Sequence, residues 1–474
     1  MSYPKRLALA VLSAATLMTI LDGSIVTVAL PEIQRDLGFT AAGLSWVVNG
    51  YLIAFGGLLL LAGRLGDLLG RRSMFLLGNA VFTVASLVAG AATGPALLIV
   101  ARFLQGVGSA FASAVALGIL VTLFTEAGER KVAIGVFSFT GAAGAALGQV
   151  LGGVLTDAFG WHWIFFINIP IGLATLALAV KVLPADRGTT RAGKADVPGA
   201  ALVTAGLMLG IYTIVGVEQH GWLAGRTLGL GAVSLALLIA FAVRQNLVRD
   251  PLLPPRIFGS RSVSGANAVQ MLTVSAMFAF QILVALYMQR VLGYNALQTG
   301  LALLPAAAAI GGVSLFVSAR LNTRFGERAV LLAGLTLLLG AMLWLTRLPV
   351  HASYLTDLLP MMVLIAGFGL VLPALTALGM SGADAGDAGL VSGLFNTTQQ
   401  IGMALGVAVL STLAAARTAT LLTTGAPAAE ALTGGFRLAF GIAAGLLVAA
   451  LLVAYTVLRP ATNAAPVPGP APVP

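Results

Sequence analysis

The chain has 474 residues, 59% hydrophobic and only 9% charged, against about 25% charged in a typical soluble domain, so a water-soluble fold could not hide its apolar surface. The net charge of +10 would suggest nucleic acid as partner of a soluble protein, but in a many-helix membrane protein basic residues gather on one side of the bilayer and a basic total is expected. The absence of cysteine excludes disulfides, thiol nucleophiles and thiolate metal sites, and 3 histidines leave little for metal chemistry.

Runs of about 20 apolar residues, the span of a bilayer core, recur from end to end. The N-terminus, MSYPKRLALAVL, has the basic start of a signal peptide, but its apolar stretch continues past Leu30 without a small-residue cleavage site and reads as a retained first helix. Fourteen spans are predicted, at 7–30, 44–62, 74–92, 96–123, 132–156, 163–183, 197–217, 227–244, 263–288, 299–319, 329–347, 357–379, 391–415 and 435–458. An even number puts both termini on one side. With the N-terminus in the cytoplasm, the inside segments hold 19 of the 26 basic residues, the outside segments 6, and Arg102 stands at a span entrance; that asymmetry predicts cytoplasmic termini. The loop at 380–390 runs against it, with Asp384 and Asp387 and no base, but acidic residues count little in this rule. The tail after Arg459, PATNAAPVPGPAPVP, is too rich in proline to pack and is expected to be disordered.

Asp22, about 15 residues into the first span, is the only acidic residue well inside any span. Such a carboxylate is costly in the bilayer unless paired, wetted or protonated, and is by default functional. If its exposure changes during a cycle, it can take up and release protons. Arg102, at the start of the fourth span, is always charged and needs a partner there, unless it is an interfacial anchor; Gln105 follows three residues later near the same helix face. In the fifth span Gly144, Gly148 and Gly152 recur every fourth residue, with Gly153 beside them. This bares one face for close helix packing. Amides at helical spacing mark the ninth span (Asn267, Gln270, Gln281) and the start of the thirteenth (Asn396, Gln399, Gln400). They are expected to face a substrate cavity or to hydrogen-bond between helices.

A shift of 256 residues lays GRLGDLLGRRSMFLLG, from Gly63, over ARLNTRFGERAVLLAG, from Ala319, matching Leu65 to Leu321, Gly70 to Gly326, Arg72 to Arg328 and Gly78 to Gly334. Tandem halves of this kind are how many secondary transporters are built. In the first copy Asp67 stands among Arg64, Arg71 and Arg72, where carboxylate and guanidinium can pair and a helix N-terminal dipole would favour the carboxylate.

This loop resembles the G-x-x-x-D-x-x-G-R-R/K of the major facilitator superfamily, which implies that Asp67 and Arg71 form a conformational latch. L-D-G-S-I-V-T-V-A-L-P (Leu21 to Pro31), W-H-W-I-F-F-I-N-I-P-I-G (Trp161 to Gly172), Y-N-A-L-Q-T-G-L-A-L-L-P (Tyr294 to Pro305) and G-L-V-S-G-L-F-N-T-T-Q-Q-I-G (Gly389 to Gly402) resemble its fourteen-helix drug:proton antiporter branch. The resemblance implies an all-α fold with a six-helix bundle at 1–196, two linker helices at 197–262 and a second six-helix bundle at 263–458, ahead of the tail at 459–474. It also implies proton coupling or cation binding at Asp22, with Arg102, in an R-x-x-Q-G-x-G stretch, as partner if helices one and four are neighbours. The glycine helix resembles the antiporter motif G-x-x-x-G-P-x-x-G-G, but Gln149 replaces proline and removes an expected kink. That departure is the one feature favouring an importer or facilitator. The expected function is proton-driven export of small amphipathic molecules by a monomer in the bacterial inner membrane, with lipid around it and no bound cofactor. No G-x-x-x-x-G-K-[ST] loop is present to bind ATP, and an enzyme or redox subunit would need clustered His, Cys or carboxylates that the chain lacks.

Overall fold

A computed structural model describes residues 3–40, 42–184, 195–382 and 388–458. Arg187, Arg191, Lys194, Asp384, Asp387, Arg459 and the rest of the tail at 459–474 lie outside the described residues. Fourteen helices follow one another: α1 (Tyr3–Leu37), α2 (Gly43–Leu69), α3 (Arg71–Gly90), α4 (Pro95–Leu123), α5 (Ala127–Phe159), α6 (Trp163–Val182), α7 (Val197–His220), α8 (Gly225–Leu247), α9 (Arg261–Arg290), α10 (Ala296–Phe325), α11 (Glu327–Leu345), α12 (Tyr354–Ser381), α13 (Ala388–Thr423) and α14 (Ala428–Thr456). The shortest, 19 residues, is about 28 Å long, enough for a bilayer core. Each predicted span corresponds to one helix. The helices run past the predicted limits, α1 by seven residues at Leu37, because backbone hydrogen bonding continues beyond the apolar stretch.

Breaks fall where the ladder is interrupted. In α6 the chain breaks at Ile167, between Trp163–Phe166 and Asn168–Val182; Pro170 has no N–H for the carbonyl four residues back at Phe166. Wider π turns occupy Val313–Val317 in α10 and Tyr354–Leu358 in α12. By contrast α5 runs unbroken past Gln149, as expected without the proline.

The packing has a two-fold pattern. In the first half α1 packs on α5, α3 on α4 and α3 on α6; in the second α9 packs on α13, α11 on α12 and α11 on α14. The halves meet through α1 against α9 and through two equivalent seams, α2 against α13 and α5 against α10. The shifted repeat has a structural counterpart. A Cβ on Gly78 would lie 2.6 Å from the carbonyl oxygen of Gly108, and one on Gly334 would lie 2.8 Å from that of Gly367, so the same position lets backbones approach in both halves. Arg72 at the start of α3 donates to Val180 O near the end of α6, and Arg328 at the start of α11 donates to Tyr455 O near the end of α14. The added pair α7 and α8 forms a hairpin whose α7 lies on α2 and α13. Large apolar side chains stand exposed on it and around the fold, among them Leu228, Leu235, Ile239 and Phe316, a surface suited to lipid and not to water.

Candidate functional site

The carboxylate of Asp22 is fully buried, about 28 Å along α1 from Tyr3 at the helical rise of 1.5 Å per residue. Arg102 Nη1 lies 2.5 Å from Asp22 Oδ2, with side-chain exposures of 1% and 0%. The same nitrogen donates to Gln105 Oε1 at 2.8 Å, and Nε donates to Val47 O at 2.8 Å. Asp22 Oδ1 accepts from Gln105 Nε2 at 3.1 Å and from Asn168 Nδ2 at 3.0 Å. Gln105 Nε2 also reaches Ser86 Oγ at 2.8 Å, and the Arg102 guanidinium sits 4.6 Å from the Tyr51 ring centroid.

Five helices, α1, α2, α3, α4 and α6, build this cluster. Helices α1 and α4 supply the ion pair, and Gly50 of α2 and Gly106 of α4 let α2 and α4 approach closely, which sets Val47 O and the Tyr51 ring beside Arg102. A Cβ on Gly106 would stand 2.3 Å from Tyr51 O. Asn168 reaches the carboxylate from the restart of α6 after its break. Asp22 thus holds one cation and two amides, the compensation that a dry carboxylate needs. Arg102 and Gln105 are brought together with Asp22, whereas Asn168, Tyr51 and Ser86 were not singled out from sequence. Asn168 lay within the W-H-W-I-F-F-I-N-I-P stretch, whose helix-breaking proline was the available signal.

The glycine face of α5 packs on the helix that carries Asp22. Cβ atoms on Gly148 and Gly152 would lie 2.8 Å from Leu21 O and 2.7 Å from Ile25 O, and one on Gly144 would lie 3.1 Å from the Leu17 side chain. Gly153 turns instead to α10, where a Cβ would lie 2.7 Å from Ala296 O, and Gly300 of α10 packs on Gln149 O. Gln149 is buried, and its Oε1 has no partner among the described residues.

Beyond Gly153 the halves are tied at the face distal to the N-terminus. Asp157 accepts from the backbone N–H groups of Ala296 and Leu297, capping α10 together with an Asn295–Gln298 capping box. Gln289 donates to Val28 O at 2.9 Å, and Arg290 donates to Gln34. At the N-terminal face Arg71 donates to Asp67 at 3.0 Å and to Gly118 O at 3.3 Å, and Arg64 lies 3.9 Å from Asp250. Asp67 sits in the last turn of α2, which ends at Leu69. The expected N-terminal dipole is therefore corrected: Asp67 is at the unfavourable C-terminal end, and Arg71 supplies the compensation.

The amides are scattered. Gln270 donates to Phe395 O at 2.8 Å, linking α9 to α13, and buried Asn267 donates to Val263 O of its own helix. Gln400 packs against Gly56 in the α2/α13 seam. Asn396 is exposed and bonds back to Ser392 O, while Gln281 and Gln399 are half-buried. None of the six lines the crevice of about 200 Å³ that opens between the halves near the distal face, among α1, α2, α9, α13 and α14.

Comparison with known proteins agrees with this architecture. The chain is 38% identical over 465 residues to the puromycin resistance protein of Streptomyces alboniger, covering 96% of this chain and 92% of that one. It is 40% identical over 410 residues to the cephamycin export protein of Amycolatopsis lactamdurans, covering 86% and 84%. Among solved structures, an auto-inhibited POT family peptide transporter matches with a TM-score of 0.70 at 17% identity over 98% of this chain and 99% of the other, a likeness of fold. The Major Facilitator Superfamily model matches residues 12–407, and the chain belongs to that family.

Proposed function

We propose that this protein is a proton-driven exporter of small amphipathic molecules of the antibiotic kind, in the bacterial cytoplasmic membrane, with the N-terminal face in the cytoplasm. The observation that carries the proposal is the dry ion pair of Asp22 and Arg102 at 2.5 Å, a carboxylate that a change of conformation can open to water and reload with a proton. Relatives named for puromycin resistance and cephamycin export support the direction. In this reading Arg102, Gln105 and Asn168 hold the carboxylate in place, Asp67 and Arg71 latch the cytoplasmic face, and a monomer works without a bound cofactor. The fold supports alternation: the distal ties and the α2/α13 seam join the halves at different depths, and a rocking motion breaks one set while keeping the other.

The test is transport in inverted membrane vesicles across a chemically diverse amphipathic panel. Uptake should require an imposed proton gradient and collapse with a protonophore. Asp22→Asn should insert normally yet lose substrate-linked proton release. Gradient-independent transport, or wild-type proton release from that variant, rejects the proposal.

A further inference from the structure

The walls of the distal crevice are apolar, with Leu30 and Val48 from the first half and Leu286 and Phe436 from the second. Ser45, Ser411 and Thr418 supply hydroxyls, and Arg290 is its one charged residue. No carboxylate lines it, and Asp22, buried within the first half, is spent on Arg102, Gln105 and Asn168. The crevice therefore offers an apolar slot ending in a guanidinium, complementary to a molecule with an apolar body and an anionic head.

Arg290 is the last residue of α9, where the helix dipole favours a cation. Its guanidinium donates to Gln34 of α1, whose own amide nitrogen donates to Phe39 O at 3.0 Å. Gln34 is a neutral acceptor. A carboxylate accepts a stronger, charge-assisted hydrogen bond from the same guanidinium, and would take it from Gln34 while leaving Gln289 on Val28.

We infer that Arg290 anchors the anionic head of an amphipathic substrate in this crevice, displacing Gln34 and loosening one of the distal ties as the substrate binds. This rests on the export reading for its role in transport, but not for binding itself.

The experiment is equilibrium dialysis of the full chain in lipid nanodiscs, with empty nanodiscs as blank, against 1-naphthaleneacetate and the isosteric neutral 1-naphthaleneacetamide. Wild type should prefer the acid about tenfold, equivalent to ~1.4 kcal/mol. Arg290→Gln should abolish the preference and leave amide binding unchanged, which also reports an intact fold. Arg290→Lys should keep part of it, and Gln34→Leu, which removes the competing acceptor, should strengthen acid binding. Equal binding of acid and amide to wild type, binding of neither, or a preference that survives Arg290→Gln overturns the assignment. Lost preference beside intact gradient-driven export refutes the anchor alone; preserved preference without such export refutes the exporter reading alone.

Discussion

Asp157 at the end of α5 accepts the backbone N–H of Leu297, at 3.0 Å, in the first turn of α10, so a side chain from one half caps a helix of the other. Loss of a cap costs about 0.5–2 kcal/mol, and here the cost falls only on the conformation in which the distal seam is shut. Asp157→Ala should therefore shift the population toward an open seam by about twofold to thirtyfold. The chain has no cysteine, so spin labels placed through Phe159→Cys and Leu301→Cys report the seam without background. An unchanged distance distribution would show that the cap does not bias the equilibrium.

The ion pair of Asp22 and Arg102 predicts strong thermodynamic coupling. Removing one member leaves the other charged in a dry site, a loss of about 3–5 kcal/mol. Removing both leaves nothing to desolvate. Arg102→Met and Asp22→Asn should each lower the unfolding temperature in detergent, while the double variant should be more stable than Arg102→Met alone. Additive losses would mean that the two charges do not stabilise each other.

How far the sequence revealed this site follows from chemistry. Asp22 and Arg102 were legible because a charge inside a span is rare and must find a partner, and Gln105 followed by helical spacing. Asn168 was not, because an amide is common enough that its role depends on where a broken helix restarts. Gln34, Asp157 and Arg290 stand at helix ends, where polar residues are ordinary, and their partners lie 139 residues away for Asp157 and 256 for Arg290. Only the closure of the two halves gives them meaning. The fourteen spans were legible because each must cross the same apolar thickness. Which amides face a cavity was not, since Gln270 shows that a polar stripe is equally satisfied by a neighbouring backbone carbonyl.

The glycine face of α5 gives an internally controlled test. A Cβ at Gly148 would stand 2.8 Å from the backbone oxygen of Leu21, whereas one at Gly135 on the same helix meets nothing within 4 Å. Gly148→Ala should cost about 1–3 kcal/mol by forcing α1 and α5 apart. Gly135→Ala should be neutral or stabilise by up to about 1 kcal/mol through helix propensity. Thermal unfolding of both variants separates packing from propensity, and equal effects would sink the packing account.

The α7/α8 hairpin has a pH-sensitive fastening at its base. Burial pushes the carboxyl of Asp196 up, but hydrogen bonds from Arg244, Gln245 and the Gly199 N–H more than offset it and hold the group below the ordinary range. A carboxyl depressed in the folded state binds its proton less readily there than in the unfolded chain. Its contribution is therefore fully present above the unfolded value of about 3.9 and is lost as pH falls toward the folded value. Asp196→Asn should be less stable than wild type by about 1–2 kcal/mol near pH 7, a figure reduced for the partly exposed Arg244. The difference should shrink as the pH is taken below about 4, because the wild-type carboxyl then loses its own charge. Thermal unfolding in detergent at both ends of this window decides the matter: a gap that stays constant with pH would mean that Asp196 holds the hairpin by shape and hydrogen-bond count rather than by its charge.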